Sequence, residues 1–427
     1  MTVRRIITVA SGKGGVGKST FALNFALTLS RVAPTALVDL DAGTSSVRNT
    51  LDVPVGKDLY HFFRKGEALE SCLTPLSHRM DPAGNFRDFS FVAAPRHAME
   101  GLISLQDTQR YRLMKALNTL PVTYVVLDMR AGLDAEVLDF MPHSNSGILV
   151  FTPHHPAATM AAADIVRALL FRKLRLVFSP EGPLAAVTGA VQIRTVNALL
   201  DSVEDPYDEK IPNLDAFLAE LLEAFGDAHL VQVLAETVAS FGVSFVLNLF
   251  DGVRESYDRA LVPFIHSLQR HVSAQLSLHN LGWIVTSREL HQANCDRWPL
   301  VLQQPATEKV EDDPILAQLE ALAGPSRSAT SRRRRTVRDF LLDIDPKRAL
   351  MEQLEVLEAM HHSHGALQVR ENFAYITHRA LHLLTSLPGD RFGQRRLLNP
   401  LELVQTLMAE AGSPPGPAGG AGEAPPL

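Results

Sequence analysis

Four glycines and two lysines fall within nine residues, Gly12-Lys13-Gly14-Gly15-Val16-Gly17-Lys18-Ser19-Thr20. A glycine-rich turn lets successive backbone N–H groups converge on an anion, and a helix starting at its end adds the positive end of its dipole. Read as a phosphate cradle, the run gives Gly12, Gly14, Gly15, Val16, Gly17 and Thr20 to nucleotide contact. Lys18 bridges the β- and γ-phosphates, and the Ser19 hydroxyl takes one position on Mg²⁺. Such a loop needs a buried strand before it and a helix after it. The apolar run 6–10 supplies the first, and Phe21, Phe25 and Leu29 at helical spacing supply the second.

Three aspartates follow at strand ends. Ala36-Leu37-Val38-Asp39-Leu40-Asp41 places two carboxylates where an apolar run stops, and Val125-Val126-Leu127-Asp128 places a third. Carboxylates there order Mg²⁺ through its waters and orient an attacking water. Asp39 and Asp128 are the expected metal-shell residues beside Ser19.

The elements that must hold these groups are legible as alternating patterns. Short apolar runs at 36–40, 89–93, 124–127, 147–151, 244–249 and 282–285 read as buried strands, with a helix over about 157–172. Strand–helix alternation predicts an α/β fold, a doubly wound, mostly parallel sheet. Between about 175 and 242 the strand pattern lapses. Leu214, Phe217, Leu218, Leu221 and Leu222 share one helical face there, which predicts a helical insertion.

The run Gly-Lys-Gly-Gly-Val-Gly-Lys-Ser-Thr resembles the signature of the MinD/ParA family, the deviant Walker P-loop ATPases, and Gly147-Ile148-Leu149-Val150-Phe151-Thr152-Pro153 is similar to the MinD/FlhG-like branch. The resemblance implies a role for Lys13, which in that family reaches across a dimer interface to the partner's nucleotide. It implies that Asp41 is the hydrolytic aspartate and that Asn248, in Val246-Leu247-Asn248, reads adenine. An amide can pair with the donor–acceptor edge of that base. The catalytic set expected is therefore Lys13, Lys18 and Asp41, with ATP and Mg²⁺ as cofactors. Two positions depart from the pattern: Arg130 follows the strand-end aspartate, and Ser46 stands where relatives often carry asparagine. Arg130 puts hydrolysis, more than binding, in question.

The expected activity is slow ATP hydrolysis coupled to homodimerisation, a switch that positions a cellular structure with an unidentified protein partner. The alternatives are a DNA-partitioning ATPase and an ATP-binding scaffold without hydrolysis. The net charge of −6 argues against bulk nucleic-acid affinity, so any grip on DNA or on a membrane surface falls to Arg332-Arg333-Arg334-Arg335. Cys72 and Cys295 are far apart and suit a reducing cytoplasm. No run approaches the 18 or so apolar residues of a membrane span. A cytoplasmic protein is expected, peripheral at the inner membrane face or at the nucleoid.

The domain reading is an ATPase domain over 1–325, a Ser/Arg linker over 326–336, a helical C-terminal region over 337–411 and a disordered Pro/Gly tail over 412–427. Asp345-Pro346 and Asn399-Pro400 read as helix starts, and Phe373, Ile376, Ala380 and Leu384 mark a helix between them.

Overall fold

The short apolar runs become strands buried on both faces, which is why they read as continuous rather than alternating. The computed structural model describes residues 4–41, 46–97, 105–179, 182, 189–205, 207, 210–226, 229–250, 252–303 and 369–412. In chain order its elements are β1 (Arg5–Ala10), α1 (Lys18–Ser30), β2 (Thr35–Asp39), α2 (Ser46–Thr50), α3 (Leu59–Lys65), β3 (Thr74–Pro75), β4 (Phe89–Val92), α4 (Asp107–Leu117), β5 (Tyr124–Asp128), α5 (Ala135–Phe140), β6 (Asn145–Phe151) and α6 (Pro156–Val177). There follow α7 (Ala190–Glu204), α8 (Leu214–Phe225), α9 (His229–Ala239), β7 (Gly242–Phe250), α10 (Val253–Ser256), α11 (Val262–His271), β8 (Ser277–Val285), α12 (Arg288–Cys295), α13 (Val369–Ser386) and α14 (Pro400–Gly412).

The eight strands form one sheet in the order β3-β4-β2-β5-β1-β6-β7-β8. Every pairing is parallel except that of β3 with β4. The doubly wound, mostly parallel sheet expected from the strand–helix alternation is the one formed. β5 lies between β1 and β2, and its register sets Asp128 opposite both Val9 and Asp39. The carboxyl ends of these three strands therefore share one edge, where α/β sheets bind their ligands.

One apolar layer joins α3, α4, α5 and α6 to the α7–α9 helices. The other joins α1, α12 and α13. Between α6 and β7 the chain runs through α7, α8 and α9, and α6 is tied to α7 by arginine. Arg175 pairs with Asp201 at 2.5 Å and Glu204 at 2.7 Å, and Arg167 donates to the Val203 and Glu204 carbonyls.

The described C-terminal helices pack onto the sheet rather than standing apart from it. Phe373 of α13 is fully buried and stacks on Phe21 of α1 with ring centroids 6.4 Å apart. Asn372 Oδ1 accepts the Val285 N–H, so α13 also closes a backbone donor of β8. Beyond it, Ile6 and Gln394 exchange two backbone hydrogen bonds at 2.7 and 2.9 Å, and Asn145 Nδ2 donates to the carbonyls of Asp390 and Gly393. This turn covers the amino ends of β1 and β6, opposite the glycine-rich loop. Phe373→Ala is expected to cost about 3–5 kcal/mol of stability, read by urea unfolding. A loss below about 1 kcal/mol would mean that α13 is not part of the core.

Arg332 to Arg335, the helix expected from Asp345-Pro346 and the tail beyond 412 lie outside the described residues. Among the described residues, no helix is long and apolar enough to cross a membrane.

Candidate nucleotide site

The loop from Ser11 to Gly17 joins β1 to α1 and takes the strand–loop–helix form a phosphate cradle requires. Gly17 caps α1 in the left-handed region at φ 82°, which a side chain adopts only under strain. Space forbids a side chain there as well, because a Cβ on Gly17 would lie 2.0 Å from Asn248 Nδ2. Gly12 is hemmed in by α6, where a Cβ would come within 2.3 Å of Ala161 Cβ. The first N–H groups of α1 have no partner within the helix and face the loop, as they do at any helix start.

Lys18 is buried. Its Nζ lies 2.5 Å from Asp128 Oδ1 and 3.3 Å from the Ser19 hydroxyl. Asp128 is fully buried, and its Oδ2 has no hydrogen-bond partner. Asp39, beside it in the adjacent strand, is also fully buried, but both its oxygens are engaged: Oδ1 accepts the Asp41 N–H and Oδ2 the Val47 N–H, each at 3.1 Å. Two buried carboxylates against one buried ammonium leave the cluster short of positive charge. Burial, and then the Asp128 carboxylate, push the Asp39 carboxyl from the usual range up to about 8, against the lowering pull of the Val47 N–H, Lys18 and the Asp41 N–H. The unpartnered Asp128 Oδ2, the charge deficit and the adjacent Ser19 hydroxyl fit a divalent cation. Asp39 lies beside that site, but both its oxygens are already engaged by the N–H groups of Asp41 and of Val47 in α2.

This arrangement has a pH signature. A carboxyl raised in the folded state holds a proton that the unfolded chain releases, so stability falls as pH rises from about 4 to about 8 and levels off above. Urea unfolding of the protein without nucleotide or Mg²⁺ is expected to show that slope, and Asp39→Asn is expected to flatten it. Equal slopes in the two proteins would contradict the assignment.

The remaining candidates divide by exposure. Lys13 is exposed on the loop, whereas Val16 is buried and Asp41 partly exposed. Asn248, at the carboxyl end of β7, is buried and donates its Nδ2 to the Val16 carbonyl at 2.8 Å, while its Oδ1 is unpartnered. Asn248 thus touches the loop itself. Arg130 forms an ion pair with Asp134, four residues on. The structure also brings in Asn294 of α12, whose Nδ2 lies 3.3 Å from the Thr20 hydroxyl and whose Oδ1 is buried without a partner. Nothing in the spacing of Asn294 marked it, because its helix lies far from the loop in sequence.

A family model described as ParA, NUBPL iron-transfer P-loop NTPase, matches residues 2–76, which include the loop, Asp39 and Asp41. Curated relatives match beyond it. A MinD homologue of Arabidopsis thaliana chloroplasts is 29% identical over 39% of this chain and 50% of its own length. The septum site-determining protein MinD of Thermotoga maritima is 27% identical over 39% of this chain and 58% of its own. Over this part the chain is similar to ParA/MinD P-loop NTPases. Among solved structures, a MinD of Pyrococcus horikoshii complexed with Mg-ADP is 16% identical, covers 71% of this chain and 90% of its own, and superposes with a TM-score of 0.43. The MinD of a MinC:MinD complex from Aquifex aeolicus is 13% identical over 70% and 88%, with a TM-score of 0.41. The chain spans about half to three fifths of the length of the curated relatives it matches.

Proposed function

We propose that this protein binds ATP with Mg²⁺ on the loop, dimerises through the nucleotide, hydrolyses it slowly and thereby acts as a switch that positions a cellular structure. The observation that carries the reading is the division of labour between two lysines of one loop. Lys18 is buried at 2.5 Å from Asp128, and Lys13 is exposed. A buried lysine beside a strand-end aspartate serves the nucleotide of its own subunit. An exposed lysine on the same loop is free to serve a second copy. MinD relatives, named for determining septum sites, support a task in placing division machinery.

When bound, Mg²⁺ supplies charge neutralisation at the phosphates and orders the water around them. The protein groups do the rest. The loop amides would hold the phosphates, with Lys18 beside Asp128 supplying the positive charge next to them. Asp128 Oδ2 and the Ser19 hydroxyl would hold the ion, with the Asp39 carboxyl beside it. Asp41, held by its N–H on Asp39, orients the attacking water. The Asn248 and Asn294 amides flank the helix start from the far side, and Asn248 offers its free Oδ1 to the base.

Two measurements test this together: ATP hydrolysis by the purified protein with Mg²⁺, and sedimentation with ADP and with a non-hydrolysable ATP analogue. A monomer with ADP, a dimer with the analogue and a measurable slow turnover are expected. A monomer under both conditions would overturn the dimer switch. ATP binding without single-turnover hydrolysis would instead favour an ATP-binding scaffold. Arg130 is the residue that keeps that second reading in view, and its ion pair with Asp134 is the observation against it.

A further inference from the structure

We propose that Arg297 is a positioning residue that clamps the segment 46–52, and through it Asp39 and Asp41, to the helix docked on the P-loop helix. The backbone gives the first observation. α12 ends in a Schellman turn: the Trp298 N–H donates to the Ala293 carbonyl at 3.0 Å and the Arg297 N–H to the Asn294 carbonyl at 3.2 Å. The residue in the left-handed position of that turn is ordinarily glycine. Here it is Arg297 at φ 56°, one of two non-glycine residues with positive φ among those described. A side chain kept where glycine is easier points to a use for the side chain.

The second observation is what the side chain does. Arg297 Nη2 donates to the Arg48 carbonyl at 3.2 Å and to the Leu51 carbonyl at 2.9 Å, at the carboxyl end of α2. These carbonyls have no further partner within so short a helix, and a cation complements their partial negative charge. The Arg297 carbonyl in turn accepts the Asp52 N–H at 3.1 Å. The ion pair of Arg297 with Asp52, 3.6 Å apart, lies between half-exposed groups and adds little.

The third observation is where the two ends of the clamp lead. Asp39 holds Asp41 with one oxygen and the Val47 N–H of α2 with the other. At the other end, Asn294 reaches the Thr20 hydroxyl and the Val301 N–H reaches Asn24 Oδ1, both on α1. Arg297 therefore joins the phosphate-binding helix to the segment that shares a carboxylate with Asp41. Its effect on turnover rests on the hydrolysis proposed above; its effect on the segment does not.

Arg297→Gly separates the side chain from the backbone, because glycine suits the left-handed turn and the variant keeps its fold. Amide hydrogen exchange of residues 46–52 is expected to quicken by about tenfold or more, as befits the loss of two charge-assisted bonds, at an unchanged or higher melting temperature. Arg297→Lys, with one ammonium for two carbonyls, is expected to fall between. With ATP, kcat is expected to drop while KM stays within about twofold. Unchanged exchange in 46–52, or a rise spread evenly over the whole molecule, would overturn the proposal. If the unmutated protein turns over no ATP, the hydrolysis reading fails, and the exchange comparison still decides the role of Arg297.

Discussion

Lys18→Ala is expected to abolish nucleotide binding and, at neutral pH, to cost the fold about 3–5 kcal/mol. The first effect follows from removing the only buried cation of the loop, the one set between Ser19 and Asp128. The second follows from what is left behind. Asp128 and Asp39 are both fully buried, and without Lys18 the Asp128 carboxylate is left beside a protonated Asp39 with no positive charge near it. A buried charge stripped of its partner costs far more than the pair contributes. The two effects separate in a double variant. Adding Asp128→Asn to Lys18→Ala is expected to restore most of the stability and none of the nucleotide binding. Calorimetric titration with ATP and Mg²⁺, beside urea unfolding, reads both. Nucleotide affinity surviving in Lys18→Ala would remove the loop from the account. Stability that the second substitution fails to restore would remove the buried charge cluster.

Much of this was legible in the sequence because the signals are local. The glycine run, the apolar runs and the aspartates at their ends are each contained within ten residues or so, and backbone geometry fixes their relation. A parallel sheet needs continuous apolar strands, so β1, β2, β5 and β6 announced themselves. The two-residue strand β3, antiparallel at the sheet edge, has too little pattern to show. Two larger features were not legible for a different reason. The packing of α13 on α1 and the Arg297 clamp join residues hundreds of positions apart. Phe373 has the spacing of any amphipathic helix, and nothing in that spacing names Phe21 as its partner. Asp39 has the position of a metal-shell residue, but its two backbone hydrogen bonds also join Asp41 to Val47 of α2. That is a consequence of strand register that the residue type alone does not carry.

Asp41→Ala is expected to keep ATP binding, to lower single-turnover hydrolysis by about 10²–10⁴-fold and to leave a persistent ATP-bound dimer. The two aspartates at the end of β2 differ in exposure. Asp39 is fully buried with both oxygens engaged, while Asp41 is partly exposed and tied down through its backbone N–H. A group that orients water must reach water, so the proposed task fits Asp41 rather than Asp39. Rapid-quench measurement of bound ATP, with sedimentation of the same sample, reads both consequences. Turnover at the unmutated rate would take Asp41 out of the mechanism. Loss of ATP binding along with turnover would make it a structural residue like its neighbour.

In the proposed switch one loop serves two nucleotides, Lys18 its own and Lys13 that of a second copy. Mixing tests it most directly. Lys13→Ala and Asp41→Ala, each inactive alone, are combined in equal amounts and assayed for ATP hydrolysis. If Lys13 acts across the interface, each mixed dimer regains one intact site, and about a quarter of the unmutated activity returns from a symmetric pairing. If the mixture stays as inactive as its components while mixed dimers form, Lys13 acts within its own subunit and the claim is wrong.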